Sequence, residues 1–429
     1  MDEVQARAGI LDSPGAPLLA AARPRAGRVV MFTADRQIDR RTLLEADSLE
    51  AAGWQVTIIA LPHDDPAAAD DRRVVRLGGA LPVARREGGV LRLYRLVRRL
   101  LPMGSRPMRA LKAFAWRYLI SQEEFYEHLY APAIAAYPAE VFVAQDLPML
   151  PVALRAARVH GGKVVYDSHE LFAEQEFSAR EKKVWRAIEG RLVGQCDAVV
   201  TVNPSIAREL EQRYALPRVH VIHNAERARP DAPRTRRFHE ALGLSDQALV
   251  LLMQGGLSAG RHLEELVAAM AQVRHPRVHL VLLGDGTLGE RLRQQVVARG
   301  LSARVHLMPA VPQRELLVWT EAADAGVIPY QATCLNNYYC TPNKLFEFIA
   351  AGIPVLASDL PEIRRFVAGH GIGQVSDLGD VGAIARAIDR FFADAARLDG
   401  WRESAARART EVNWDVEGRK VVELFEVLR

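Results

Sequence analysis

The chain has 429 residues, 49% of them apolar and 25% charged, with 56 basic against 52 acidic side chains. That is ordinary globular composition and enough length for roughly two to three domains, each with its own core. A net charge of +4 is too small to argue for nucleic acid as a partner. Cys196, Cys334 and Cys340 are spaced for neither a disulfide framework nor a zinc site, and predict a reducing, cytoplasmic setting. The start Met1-Asp2-Glu3 lacks the basic-then-apolar order of a signal peptide. No run approaches the ~18 apolar residues of a membrane span, so the protein is expected to be soluble or peripheral, at the inner face of the cell membrane.

Taken in chain order, residues 1–26 are rich in Ala, Pro and Arg without periodicity and predict a mobile tail. Short apolar runs then predict strands at Arg28–Thr33, Gln55–Ala60, Val141–Gln145, Lys163–Asp167, Ala198–Val202 and Val219–His223. The span Arg41–Ala52 has helical spacing and ends at Gly53, a good residue to close a helix. This strand–helix–strand rhythm predicts a parallel, doubly wound sheet over residues 27–225. Residues 226–240 read as a linker. The rhythm restarts at Leu249–Gln254, Val278–Leu283, Val305–Met308, Asp324–Pro329 and Pro354–Ala357. A second α/β unit over 241–405 follows, with a ligand cleft between the two. Residues 406–429 are helical and are placed to cross back to the first unit.

The strongest chemical signal is Thr341-Pro342-Asn343-Lys344-Leu345-Phe346-Glu347. Thr341 as N-cap and Pro342 as the first helical residue mark a helix start, where the macrodipole disfavours a cation such as Lys344. The placement makes sense if Lys344 and free backbone N–H groups hold an anion such as a phosphate. Glu347, on the same face, could then accept hydrogen bonds from sugar hydroxyls. The alternative is a surface Lys–Glu pair. Two further glycine-rich turns end strands in this unit: Gly255-Gly256-Leu257-Ser258-Ala259-Gly260-Arg261, opening a helix over His262–Gln272, and Gly284-Asp285-Gly286. In the first unit, Asp167-Ser168-His169-Glu170 ends a strand. His169 there is either a polar substrate contact, an acid/base group, or a strand-end histidine satisfied by its neighbours. Asp35, Arg36 and Asp146 end neighbouring strands and face the same cleft with Glu170, on the acceptor side. No His/Cys/carboxylate cluster has metal-ligand spacing.

Together these motifs, with Val221-Ile222-His223-Asn224, Ala323-Asp324-Ala325-Gly326 and the run to Gly352, resemble glycosyltransferase family 4 of the GT-B fold. The resemblance spans about residues 28–429 and implies two Rossmann-like α/β domains facing a central cleft. It implies a retaining transferase with a UDP- or GDP-linked sugar as co-substrate, no metal or other cofactor, and a saccharide or lipid-linked acceptor. In this family Arg261 and Lys344 match the cations that neutralise the diphosphate, and Glu347 matches the carboxylate on the ribose. His169 matches the histidine beside the reacting carbon, and backbone at Ala310 and Val311 meets the base. Gly255, Gly256, Gly284, Asp285, Gly286, Asn337, Tyr338, Tyr339, Asn343 and Leu345 complete the expected donor site. Two departures stand out: many members have a Glu where this chain has Tyr339, and an Arg where it has Gly256. A sugar-nucleotide epimerase of the same architecture and a non-catalytic nucleotide-sugar-binding subunit are the alternative readings.

From Arg85 to Arg117 there are ten basic residues against Glu87 alone, interleaved with Leu, Val, Phe114 and Trp116. Such a stretch predicts contact with an anionic membrane surface; the alternative is an Arg-rich solvated helix over a core. Co-sedimentation with anionic liposomes at low salt, weakening as salt rises, is the expected outcome. Absence of binding at low salt removes the membrane reading.

Overall fold

The computed structural model describes residues 27–63, 70–78, 121–227 and 234–429. The expected tail at 1–26, the basic stretch at 85–117 and residues 228–233 of the linker lie outside these. The first sheet contains β1 (Arg28–Thr33), β2 (Gln55–Ala60), β3 (Val74–Arg76), β4 (Val141–Gln145), β5 (Lys163–Ser168), β6 (Ala198–Thr201) and β7 (His220–Val221). Its spatial order is β3-β2-β1-β4-β5-β6-β7, all neighbours parallel. The second contains β8 (Leu249–Gln254), β9 (Val278–Leu283), β10 (Val305–Met308), β11 (Ala325–Ile328), β12 (Val355–Ser358) and β13 (Gly373–Ser376). Its order is β10-β9-β8-β11-β12-β13, again parallel. The fold is GT-B: two doubly wound α/β domains.

Parallel strands covered by helices on both faces are apolar on both faces, and their period of two sorts side chains into two cores. Val30, Phe32, Phe142 and Tyr166 enter one core of the first domain, while Val29, Met31, Val143 and Val165 enter the other. Leu251, Leu280 and Val327 are separated from Val250, Val281 and Val355 in the same way in the second. Strand order reverses between β1 and β4, and between β8 and β11, which opens a crevice at the carboxyl ends of those strands.

Strands β1, β2, β4, β8, β9 and β10 occupy their expected spans residue for residue. The two strands absent from the sequence reading, β3 and β13, are short edge strands that are only half-buried, so no apolar run marks them. Asp324 lies outside β11 because its carboxylate accepts the Val250 N–H at 2.8 Å. The helix expected over His262–Gln272 is shorter, Leu263–Ala269, since His262 has left-handed backbone (φ 58°). The key helix starts at Asn343 rather than Pro342. Pro342 itself stands at the N-cap, and the Thr341 hydroxyl instead accepts from Asn203 Nδ2 at 3.3 Å.

The chain crosses between domains twice, at residues 222–227 and at Val412-Asn413. The two crossings are tied where the Trp414 N–H donates to the Glu226 carbonyl at 2.7 Å. Helix Ala395–Glu411 packs Ala405 and Ala408 into the second domain, whereas helix Trp414–Leu428 delivers Trp414, Val421, Leu424 and Phe425 to the first. The Trp414 indole N–H donates to the Leu44 carbonyl (3.1 Å) and the Ser48 hydroxyl (2.9 Å). Trp414→Ala is expected to cost about 3–5 kcal/mol, the range for deleting a buried large aromatic, and to lower the urea midpoint. An unchanged midpoint would show that this helix contributes little to the first domain.

Candidate active site

The second-domain half of the cleft is built on close backbone packing. Gly255 (φ 98°) and Gly284 (φ 150°) follow β8 and β9, and a Cβ on Gly284 would lie 2.1 Å from the Gly255 carbonyl oxygen. Only glycines allow these two turns to touch. A Cβ on Gly255 would in turn lie 3.7 Å from Lys344 Nζ and 3.8 Å from Arg261 Nη1, so two cations flank one turn. The Lys344 ammonium donates to the Tyr330 hydroxyl at 2.7 Å and lies 4.6 Å from that ring's centroid. Arg261 Nη1 donates to the Gly256 carbonyl at 3.0 Å. Among the described residues neither cation is paired with a carboxylate, although Lys344 is only 5% exposed. A buried ammonium without a counter-ion is unfavourable, so the arrangement calls for an anion in the cleft. The Asn343–Ala350 helix has no side-chain cap and adds its N-terminal N–H groups to the same place.

Glu347 sits one turn along from Lys344, 7% exposed. Its carboxylate accepts from Gln254 Nε2, and Gln254 is held from behind by the Thr320 hydroxyl at 2.9 Å. Arg40 of the first domain lies 3.7 Å from the same carboxylate and pairs also with Glu226. Burial first, then repulsion by Glu347 and Asp39, pushes Glu226 up to about 7 despite Arg40. Lys344 and Glu347 are therefore not a solvated surface pair. Asp285 Oδ2 accepts the Ala310 N–H at 3.1 Å and so shapes the backbone at Ala310-Val311.

The first-domain half is a buried charge network. Strand register sets Thr33, Gln145 and Asp167 side by side. Arg41, from the first turn of helix Arg40–Ala51, makes a two-pronged bond to Asp167 (2.9 and 3.0 Å). It also donates to the Ile222 carbonyl (2.7 Å) and Asn224 Oδ1 (2.9 Å), and lies 2.9 Å from Glu45. His169 Nε2 is 2.6 Å from Gln145 Oε1 and 3.2 Å from Asp167, while Nδ1 is 3.6 Å from Asp146. Burial alone would lower the imidazole's pKa, but Asp146 and Asp167 outweigh it and raise it to about 10. Burial would likewise raise Asp167, but Arg41 and then His169 hold it well below the usual carboxylate range. Burial pushes Glu45 up to about 8, with repulsion from Asp167 adding to it and Arg41 opposing it. Asp146 is also pushed upward by burial, a push opposed by His169 and reinforced by Glu170 and Asp167. Asp146 has φ 64° and ψ 167°, a region that side chains other than glycine's rarely adopt, which concentrates strain of about 1–3 kcal/mol at this edge.

The two halves enclose one cavity of about 690 Å³. Asp35, Asp146, His169 and Glu170 line it from the first domain. Gly255, Gly256, Arg261, Gly284, Asp285, Ala310, Val311, Asn337, Asn343, Lys344 and Glu347 line it from the second. Five expected residues do not. Leu345 is fully buried in the second-domain core, because one residue past Lys344 the helix has turned its side chain inward. Tyr338 points to solvent, and Tyr339 packs against the first-domain core with its carbonyl accepting from Asn203 Nδ2 at 2.8 Å. Gly286 is a packing glycine, where a Cβ would lie 2.2 Å from the Leu257 carbonyl oxygen. Arg36 stands outside the lining as well. Sequence reasoning missed Arg41, Tyr330 and Asn336; of these only Arg41 left a trace, its i,i+4 spacing to Glu45.

Two parallel-sheet domains with strand ends, glycine turns and paired cations facing one cleft define a GT-B glycosyltransferase. A family model described as glycosyl transferase 4-like domain matches residues 38–225, and one described as glycosyl transferases group 1 matches residues 248–394. The chain belongs to this glycosyltransferase family. It is 27% identical over 235 residues to the glycogen synthase of Mycobacterium tuberculosis, covering 53% of each. Among solved structures it is similar to the sucrose-phosphate synthase of Thermosynechococcus elongatus (TM-score 0.71, 18% identity), covering 94% of this chain and 99% of that one. It is also similar to Anabaena HepE in complex with UDP-glucose (TM-score 0.65, 15% identity), covering 94% and 100%. The chain spans less than two thirds of the length of the curated relatives it matches.

An imidazole raised to about 10 contributes stability that is complete below its unfolded value, about 6.5, and is lost as pH rises through the folded value. The His169 ring should stay protonated through pH 8, assigned in NMR spectra by its absence from a His169→Asn variant. A His169 titration near the unfolded value would refute the network.

Proposed function

We propose that the chain moves a sugar from a nucleoside diphosphate sugar to a hydroxyl of a saccharide or lipid-linked acceptor, with retention at the anomeric carbon. Its setting would be bacterial polysaccharide or glycolipid assembly. The observation that carries this reading is the convergence of Lys344 and Arg261 on the Gly255 turn, with Glu347 one helical turn away. That spacing suits a diphosphate beside a ribose. The donor is UDP- or GDP-linked, and the likeness to HepE in complex with UDP-glucose favours UDP.

The residues suggest how the step runs. The acceptor oxygen attacks the anomeric carbon from the side the diphosphate leaves, the carbon–oxygen bond to the phosphate breaks, and a departing phosphate oxygen takes the acceptor's proton. His169 does not serve as the base, since its ring is already protonated and its N–H groups face Gln145, Asp167 and Asp146. It acts by charge and position. Lys344, Arg261 and the helix N-terminus stabilise the charge growing on the diphosphate, the work a divalent metal does elsewhere. In this reading no metal is needed.

A panel of UDP- and GDP-sugars should contain one that raises the melting temperature, because a ligand that binds only the folded state stabilises it. With that donor, Lys344→Ala should lose about 2.7–4 kcal/mol of transition-state stabilisation, roughly 10²–10³ in kcat, and excess EDTA should leave the wild-type rate unchanged. Near-normal turnover by the variant would reject the diphosphate role. An epimerised donor formed without acceptor would instead assign an isomerase.

A further inference from the structure

On the second-domain side the carboxylates lining the cavity are Glu347 and Asp285, whose Oδ2 accepts the Ala310 N–H, while Tyr339 packs against the first-domain core. A carboxylate reaches the cavity from the opposite wall. Glu170 Oε2 accepts from Asn336 Nδ2 at 2.7 Å, and Oε1 accepts from Gln175 Nε2. Asn336 belongs to the second domain, and its Oδ1 accepts the Leu171 N–H at 3.0 Å, so both ends of this one amide grip residues 170–171 across the seam. The Ser168 hydroxyl fixes the Glu170 carbonyl at 2.8 Å. Glu170 is thus oriented from several sides and still lines the cavity. With the diphosphate held by Lys344 and Arg261 and the ribose by Glu347, the glycosyl group is left the wall of Asp146, His169, Glu170 and Asn336.

We propose that Glu170, locked by Asn336, reads the donor sugar by accepting hydrogen bonds from its hydroxyls, and that this wall selects an uncharged hexosyl or N-acetylhexosaminyl group over a hexuronate. This deepens, and rests on, the nucleotide-sugar reading above. Burial raises the Glu170 carboxyl's pKa, opposed by the N–H donors of Asn336 and Gln175 and by His169; in its ionised form it is an acceptor only, matches hydroxyl donors and repels a uronate. Asp35 and Asp146 line the same side, while His169 is already engaged with Asp146 and Asp167. Among the described residues lining that wall, a uronate carboxylate meets no uncommitted cation.

The test is calorimetry on the full chain with UDP and GDP, each alone and as glucose and hexuronate conjugates. Glu170→Gln should bind the bare diphosphate as the wild type does, which also reports that it is folded. It should lose about tenfold or more of the affinity for the glucose conjugate, the scale of a hydrogen bond to a charged group. A purely structural Glu170 would weaken diphosphate and conjugate alike. The wild type, independently of any variant, should bind the hexuronate conjugate no more tightly than the bare diphosphate. The inference is overturned if the variant keeps the full sugar-dependent gain, if it weakens both ligands equally, or if wild type takes hexuronate and glucose conjugates equally well. Failure of the wild type to bind either diphosphate would overturn the nucleotide-sugar reading itself, a separate and recognisable result.

Discussion

The Arg41 guanidinium is the interaction on which the two halves of the cleft depend. Its N–H groups reach Asp167 at the end of β5, Glu45 on its own helix, and Ile222 and Asn224 on the first crossing between domains. Asp167 in turn contacts His169, and Asn224 Nδ2 reaches Asn343 Oδ1 at 3.1 Å, at the start of the helix that carries Lys344. One buried cation therefore fixes the charge of the first wall, the path of the hinge and the entry to the second-domain helix. Breaking a buried pair by removing one partner typically costs about 3–5 kcal/mol, because the other charge is left without compensation. Here several groups would be left so at once.

Charge is distributed unequally across the cleft, and that inequality orients the ligand. In the first wall Arg41 and His169 are both answered by carboxylates, and the network closes on itself. Among the described residues, Lys344 and Arg261 in the second wall are answered by a tyrosine and a carbonyl and by no carboxylate. An anion entering the cavity gains most at the second wall, and a neutral, hydroxyl-bearing group is left for the first. The strained backbone of Asp146 lies in the first wall, where its Oδ1 accepts the His169 backbone N–H at 2.9 Å. Polar complementarity of this kind selects by leaving the wrong partner unsatisfied rather than by attraction alone.

Most of the sheet framework was legible in the sequence, because strands buried on both faces must be apolar throughout, and such runs as Leu249–Gln254 are visible without any partner. The edge strands Val74–Arg76 and Gly373–Ser376 were not, since half-buried residues carry no such constraint. Lys344 was legible because it breaks a local rule, a cation in the first turn of a helix. Arg41 breaks none. Its partners Asp167 and Asn224 lie 126 and 183 residues away, and in a chain with so many arginines its identity alone carries no signal. Leu345 was misplaced for a related reason. Adjacency to Lys344 in sequence says little about which way a side chain points when each helical step turns it about 100°.

The contacts across the seam are more polar than those that anchor the hinge. Across the seam, polar bonds join Asn336 to Glu170, Asn203 to the Tyr339 carbonyl, the Ser205 N–H to Glu362, and the Thr333 hydroxyl to Glu176, beside the apolar contacts of Leu335 and Tyr339 with the first-domain core. The neutral bond contributes about 0.5–1.5 kcal/mol net and those to carboxylates about 1.5–3, since water competes to replace them at the same groups. Behind the cavity, Trp414, Val421, Leu424 and Phe425 are buried in the first-domain core, and their exposure has no such replacement. In the reading proposed above, a donor on the second wall brings its sugar to Glu170 and His169, so that the ligand would itself bridge the two walls and exclude water that competes with the acceptor.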